Sequence, residues 1–185
     1  MQKYLTKTEL DSLLRVAKQK SVRDFAIVLL SYRHGLRCVE LLNLKWDYID
    51  WDKQSLYISR AKGSDSGYHE LKPDELKLLK RLKKANEAKK PENRSEFIIA
   101  GRQSNQLTTA RIRQLCSQLG IKANLSRPFH HHQLRHTCGF DMADNRHINP
   151  LTIQRYLGHK DFKSTEIYIR EAGRDFKNIA SWQKC

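Results

Sequence analysis

Helix start and stop signals recur along almost the whole chain and give way mainly over one stretch, which confines the fold to helices around one small sheet. Thr6-Lys7-Thr8-Glu9 has capping-box spacing and opens a helix to about Lys18. Ser21 caps a second, mostly buried helix containing Phe25-Ala26-Ile27-Val28-Leu29-Leu30, which runs to Ser31 or Tyr32 and is broken by Gly35. A third helix begins near Arg37 and carries Val39, Leu41, Leu42 and Leu44. Pro73 suits the first position of an amphipathic helix with Leu76, Leu79 and Leu82 on one face, ending before Pro91. Thr108 or Thr109 caps the next, where Ile112, Leu115, Cys116 and Leu119 keep helical spacing until Gly120. Three short helices follow: about His132 to Asp144, then Pro150 to Leu157 between an Asn149 cap and a Gly158 stop, then Thr165 to Ile169.

The main break lies between Trp46 and Lys72, where short strands are expected around Trp46 to Ile49, Ser55 to Ala61 and Tyr68 to Leu71. The Gly/Ser/Asp-rich run Lys62-Gly63-Ser64-Asp65-Ser66-Gly67 suits a hairpin loop with Lys62 at its lip. Phe97 to Ala100 reads as one more short buried strand. The expected fold class is therefore α+β, mainly α with a small antiparallel sheet. With 185 residues and no repeat or linker, one domain over residues 1–185 is expected.

Thirty-five Lys and Arg against 20 Asp and Glu give a formal charge of +15, which favours a polyanionic partner, most commonly nucleic acid. The densest basic run, Lys77 to Lys90, is explained by a solvated helix face at least as well as by DNA contact. No apolar run approaches the roughly 20 residues that span a bilayer, and the N-terminus lacks the apolar run of a signal peptide. A cytoplasmic protein is expected. Cys38, Cys116, Cys138 and Cys185 are too widely spaced for a disulfide framework or a zinc knuckle, and Cys116 and Cys138 read as small buried hydrophobes.

His132 and Arg135, three apart at the start of a helix, share a face, so Arg135 can grip a phosphate bidentately while His132 bonds a neighbouring oxygen. Gly158 places His159 at a turn from which it can face the same group. Tyr168 is the candidate nucleophile, but its ordinary pKa of about 10 requires help from nearby Arg and His side chains. Arg37, in the first turn of its helix, is a second phosphate clamp; Glu40 orients it, and Lys62 can protonate a leaving 5′ oxygen. Taken singly, each has a plain alternative: a surface His-Arg pair, a turn histidine, or a tyrosine packed with Tyr156 and Ile167. The three adjacent histidines of His130-His131-His132 cannot all converge on one ion, and no Cys or acidic partner has helpful spacing to them, to His136 or to His147, so no metal is expected.

The order of the pieces distinguishes these readings: Gly-Leu-Arg-x-x-Glu, a hairpin lysine, His-x-Leu-Arg-His, Leu-Gly-His, then Tyr. The chain resembles the tyrosine recombinase (phage integrase) family, and the matching residues are Arg37, Lys62, His132, Arg135, His159 and Tyr168, with Lys72 a rival to Lys62. The resemblance implies the family's catalytic-domain fold and strand cleavage through a 3′-phosphotyrosine, chemistry like that of a type IB topoisomerase, without ATP, metal or other cofactor. His136 and Glu40 would support the site, and Arg111, Arg113 and Arg127 would touch DNA near it.

Because the pattern starts almost at Met1, no N-terminal core-binding domain is expected, as in the short fimbrial phase-switch invertases, to which His130 to Phe176 looks especially close. That similarity implies inversion of a promoter-bearing element between inverted repeats in the bacterial nucleoid. It also implies a homotetramer on double-stranded DNA, accessory DNA-bending proteins, and docking of segment 171–185 on a neighbouring protomer. The alternatives are a catalytic fragment of a larger phage-type integrase, a relaxing topoisomerase, and a non-catalytic DNA-binding regulator with the same fold.

Overall fold

In the computed structural model, residues 3–60, 64–101 and 106–173 are described. Lys62 and segment 174–185 lie outside them, so the expectations for that lysine and for the docking of the C-terminal segment fall outside the described residues.

The N-terminal half is built from α1 (Lys7–Lys20), α2 (Val22–Arg33) and the short α3 (Cys38–Leu42). Thr6 and Glu9 form the capping box expected from the sequence: the Thr6 hydroxyl accepts from the Glu9 N–H at 3.2 Å, and the Glu9 carboxylate accepts from the Thr6 N–H at 2.8 Å. Ser21 caps α2 through the Asp24 N–H at 3.0 Å. Helix α1 buries Leu10, Leu13 and Ala17, while α2 is buried from Ala26 to Ser31, and these residues form the centre of the main core.

A three-stranded antiparallel sheet follows, β1 (Ile49–Asp50), β2 (Ser55–Ile58) and β3 (Gly67–Glu70), paired in sequence order. Its register places Leu56 opposite both Ile49 and His69, so Leu56 and Ile58 face the core. The expected first strand at Trp46–Ile49 is instead a 3-10 turn, Trp46–Tyr48, ahead of a two-residue strand. There the Trp46 indole donates to the Ser95 carbonyl at 3.1 Å, and Tyr48 closes the turn on Lys45. The expected strand at Phe97–Ala100 is reduced to isolated bridges, Lys45 to Phe97 and Ala100 to Gln106, although Ile98 and Ile99 are buried as anticipated.

The C-terminal half contains α4 (Pro73–Glu87), α5 (Thr109–Lys122), α6 (His132–Asp144), α7 (Pro150–Leu157) and α8 (Lys163–Glu171). Here Cys138, Ala143, Ile153, Leu157 and Tyr168 form a second, smaller apolar cluster. Helix α5 does not stop at Gly120; it continues to Lys122, and Asn124, with φ of 54°, makes the turn. The glycine is explained by packing, because a Cβ at that position would lie 2.8 Å from the Cβ of buried Phe129.

This contact yields a stability prediction. Alanine normally gains about 1 kcal/mol over glycine inside a helix, but overpacking against a fixed neighbour costs about 1–3 kcal/mol. Gly120→Ala is therefore expected to lower the melting temperature by a few degrees, at about 2–4 °C per kcal/mol for a chain of this size. Gly67→Ala, where nothing lies within 4 Å, should not produce a comparable loss. Thermal denaturation of both variants checks this, and an unchanged or raised midpoint for Gly120→Ala would contradict the packing assignment.

Candidate active site

Two helices end in the same way at the centre of the molecule. At the end of α2, Gly35 adopts φ of +57°, with the Leu36 N–H bonded to the Ser31 carbonyl at 3.0 Å and the Gly35 N–H to Tyr32 at 3.3 Å. At the end of α7, Gly158 adopts φ of +64°, with the His159 N–H bonded to Gln154 at 3.0 Å and the Gly158 N–H to Arg155 at 3.0 Å. Both are left-handed glycine caps of the Schellman type, which leave the last helical carbonyls pointing outward at the negative end of the helix. Arg37 and His159 follow immediately after these caps, so the turns aim them.

The freed carbonyls are taken up by buried guanidinium groups. Arg135, 2% exposed, donates from Nη1 to the Gly35 carbonyl at 2.6 Å and from Nη2 to the Leu157 carbonyl at 2.8 Å, tying the two helix ends together. Arg37 caps α3, where its N–H donates to Glu40 Oε2 at 2.8 Å and its guanidinium to Glu40 Oε1 at 2.6 Å. Glu40 thus orients Arg37, as the sequence suggested. A third guanidinium, Arg60, contacts the other Glu40 oxygen at 2.7 Å, while Arg135 lies 4.0 Å from that oxygen.

Arg60 is the residue that sequence reasoning missed. The available signal was strand parity: Leu56 and Ile58 point inward, and a charged residue two further along on the same face needs a buried partner. Thr165, also missed, is fully buried with its hydroxyl 2.8 Å from His159 Nδ1, which fixes that ring.

Tyr168 is 3% exposed, and its ring fills the space over Gly139, where a Cβ would lie 2.6 Å from the ring. Its hydroxyl is 3.0 Å from His136 Nδ1, and His159 stacks on its ring at a centroid distance of 6.0 Å. His136 in turn meets His132 edge-on at 4.6 Å. Arg37, His132, Arg135, His136, His159 and Tyr168 are therefore brought together.

Arg113 shares a cavity of about 220 Å³ with Cys38, His131 and His132. Arg127 lines an adjoining one of about 430 Å³ with His132 and His136, and also donates to the Tyr4 carbonyl at 2.6 Å. Arg111 lies on the exposed face of α5, bonded to Gln114. Lys72, the rival to Lys62, lines a different cavity with Tyr32, Glu75, Asp141 and Tyr156, which contains none of the six grouped residues. The histidine string is divided, since His131 is buried against the Ser31 hydroxyl at 2.8 Å while His132 lines the open cavities.

Burial alone would raise the Glu40 carboxyl, but Arg60, the Arg37 N–H and the Arg37 guanidinium outweigh it and hold that carboxyl below its usual range. Burial, followed by the Arg37 and Arg60 charges, lowers Arg135 to about 10, which leaves it charged at neutral pH. Enclosure by the protein lowers His132, and the positive charges of Arg135 and Arg37 act in the same direction. Burial lowers His136 to about 4 and His159 to about 3, with His132 adding to the first and Arg135 to the second. Burial pushes the Tyr168 hydroxyl up to about 12 against the opposing pull of Arg135. The site thus combines fixed guanidinium charge, neutral imidazoles and a neutral phenol, a set suited to receiving an anion.

A profile of the phage integrase family matches residues 3–174. FimE, a type 1 fimbriae regulatory protein of Escherichia coli K12, is 29% identical over 184 residues, covering 98% of this chain and 91% of its own. FimB, the corresponding regulatory protein in the same strain, is 34% identical over 174 residues, covering 92% and 86%. The tyrosine recombinase XerA of Pyrococcus furiosus is 31% identical over 176 residues, covering 95% and 59%. Among solved structures, a crystal structure of XerA recombinase superposes with a TM-score of 0.80 at 25% identity, covering 92% of this chain and 62% of that one. The XerH site-specific recombinase bound to palindromic difH in a post-cleavage complex shares the fold with a TM-score of 0.78 at 21% identity, covering 96% and 52%. This chain therefore spans between half and two thirds of those two solved chains. With the family profile extending over nearly all of it and a relative above 30% identity over most of it, this chain belongs to the phage integrase family.

Proposed function

We propose that this protein is a site-specific DNA recombinase that cuts and rejoins strands through a phosphotyrosine, with Tyr168 as nucleophile. The observation that carries the reading is the grouping of Arg37, Arg135, His132 and His159 with Tyr168 around two helix ends and one carboxylate. In the first step the Tyr168 oxygen bonds to phosphorus and the bond from phosphorus to the 5′ oxygen breaks. The DNA 3′ end is then held as the phosphotyrosine, and rejoining by a 5′ hydroxyl reverses the exchange. His136, 3.0 Å from the hydroxyl, is placed to accept the phenolic proton, and Lys62 is proposed to protonate the leaving oxygen. Arg37 and Arg135 hold the phosphate, and neutral His132 and His159 donate to its oxygens.

Similarity to two fimbriae regulatory proteins supports a phase-switch role, in which the enzyme inverts a promoter-bearing element between inverted repeats. The proposed assembly is a homotetramer on double-stranded DNA, assisted by accessory DNA-bending proteins and coupled through segment 171–185. Arg111, Arg113 and Arg127 are proposed DNA contacts, and the bacterial cytoplasm, at the nucleoid, is the proposed place of action.

The decisive test incubates the protein with nicked suicide duplexes tiled across the DNA flanking its own coding sequence and looks for a covalent adduct on a denaturing gel. Wild type is expected to form one, Tyr168→Phe none, and Arg135→Lys roughly 100-fold less, because an ammonium cannot span two partners as a guanidinium does. Binding without an adduct in wild type would instead favour a non-catalytic regulator.

The buried imidazoles predict how stability changes with pH. His69 and His159 are held near 3 and His131 and His136 near 4, chiefly by burial, whereas in the unfolded chain each titrates near 6.5. Below pH 6.5 the unfolded state binds more protons, so their contribution is complete above that pH and is lost as pH falls toward 4 and then 3. Melting temperature should therefore drop steadily from pH 7 to pH 4.5. A flat profile over that interval would show that these rings are not held neutral by the fold.

A further inference from the structure

Arg60 lies two residues beyond the end of β2, on the way into the hairpin, and its side chain is 1% exposed. Its stem passes beneath the α7 cap, close enough that a Cβ on Gly158 would lie 2.9 Å from its Cγ. Its guanidinium reaches both helix ends: Nη2 donates to the His34 carbonyl at 3.0 Å and the Tyr156 carbonyl at 2.5 Å, and Nη1 reaches the Gly35 carbonyl at 3.4 Å. Nη1 also pairs with Glu40 at 2.7 Å, and the Arg60 N–H is bonded to the Ser66 hydroxyl across the hairpin at 2.9 Å. Arg60 therefore joins the sheet, the end of α2, the end of α7 and the carboxylate that orients Arg37.

We propose that Arg60 is a positioning residue, which neutralises Glu40 and clamps the two helix ends so that Arg37 and Arg135 keep their charge and aim for the phosphate. Glu40 has two oxygens and three guanidinium neighbours. With Arg60 present, one oxygen is satisfied from behind, and Arg37 shares the carboxylate rather than supplying most of its counter-charge. Without Arg60, the buried carboxylate draws on Arg37 and Arg135, whose charge is then committed to the protein instead of the substrate. The helix ends would also lose one guanidinium that bridges them, leaving Arg135, the Arg37 contact with the Gly158 carbonyl at 3.4 Å and the Tyr156 hydroxyl bond to the Arg33 carbonyl at 2.8 Å to hold them together. Arg60 is too deeply buried to meet DNA itself, so its effect should fall on the rate of cleavage and not on affinity.

The inference rests on the recombinase reading of Arg37, Arg135 and Tyr168. It is tested by single-turnover cleavage of the same nicked duplexes at saturating protein, with gel-shift affinity and melting temperature measured in parallel. Arg60→Lys keeps a cation beside Glu40 but cannot span the carbonyls, and is expected to cleave about 10-fold more slowly with affinity within about 3-fold of wild type. Arg60→Met should be about 100-fold slower, and adding Glu40→Gln should recover about 10-fold of that loss, a rescue that a merely structural role would not give. A folded Arg60→Lys that cleaves like wild type, or an Arg60→Met that Glu40→Gln does not rescue, would overturn this proposal alone. A wild type that binds without forming an adduct would overturn the recombinase reading and this inference together.

Discussion

The carboxylate of Glu40, 3% exposed among three arginines, is the interaction on which the rest of the site depends. Burying a charge is costly unless it is paired and hydrogen-bonded, and removing one member of a buried pair typically costs about 3–5 kcal/mol. Here one negative charge faces three positive ones, so the cluster carries an uncompensated excess of positive charge. The fold tolerates this because the guanidinium hydrogens also meet the carbonyls of His34, Gly35, Tyr156 and Leu157. Those carbonyls end two helices whose dipoles favour cations there. Under the proposed function, a DNA phosphate would balance the remaining positive excess.

That arrangement links the backbone to the chemistry. The two glycine caps are similar, each with a left-handed residue followed by a bond that reaches back five residues. Each cap frees carbonyls for the guanidiniums on one side and projects a candidate phosphate ligand, Arg37 or His159, on the other. A side chain at Gly158 would meet Arg60 as well as opposing the positive φ, and one at Gly35 would strike Leu157. The same positions are thus closed to substitution by backbone conformation and by packing.

The helical framework was largely legible in the sequence. Thr6, Ser21, Thr108 and Asn149 cap as their side chains predict, and Gly35 and Gly158 end helices as expected, because these signals are local. Legibility failed where packing between elements decides. The Trp46 segment turns to reach the Ser95 carbonyl, and Gly120 lies inside α5 not as a helix stop but because Phe129, which the chain brings back against the helix, occupies the space of a side chain. In the site, Arg37, His132, Arg135, His159 and Tyr168 were singled out by their order along the chain, and the structure groups them. Arg60 and Thr165 were not, because they act by supporting those residues and have no spacing of their own to reveal them. Only inward strand parity pointed to Arg60, and nothing in the sequence pointed to Thr165.

The position of Tyr168 shows why isolated residues mislead in a chain of this kind. Its ring belongs to the smaller apolar cluster with Cys138, Ile153 and Leu157, as a packing residue would. Its hydroxyl nevertheless meets His136 within reach of the Arg135 charge, as a nucleophile requires. The two roles are compatible because they use different ends of the side chain. Burial of the ring raises the hydroxyl to about 12 and keeps it a neutral phenol at pH 7. Ionisation then depends on a base and on positive charge acting together. Under the proposed function, Arg37 and Arg135 would stabilise both the phenolate and the phosphate it attacks, so activation of the nucleophile and binding of the substrate would draw on one set of arginines. The carboxylate and helix ends that hold those arginines would therefore affect both steps.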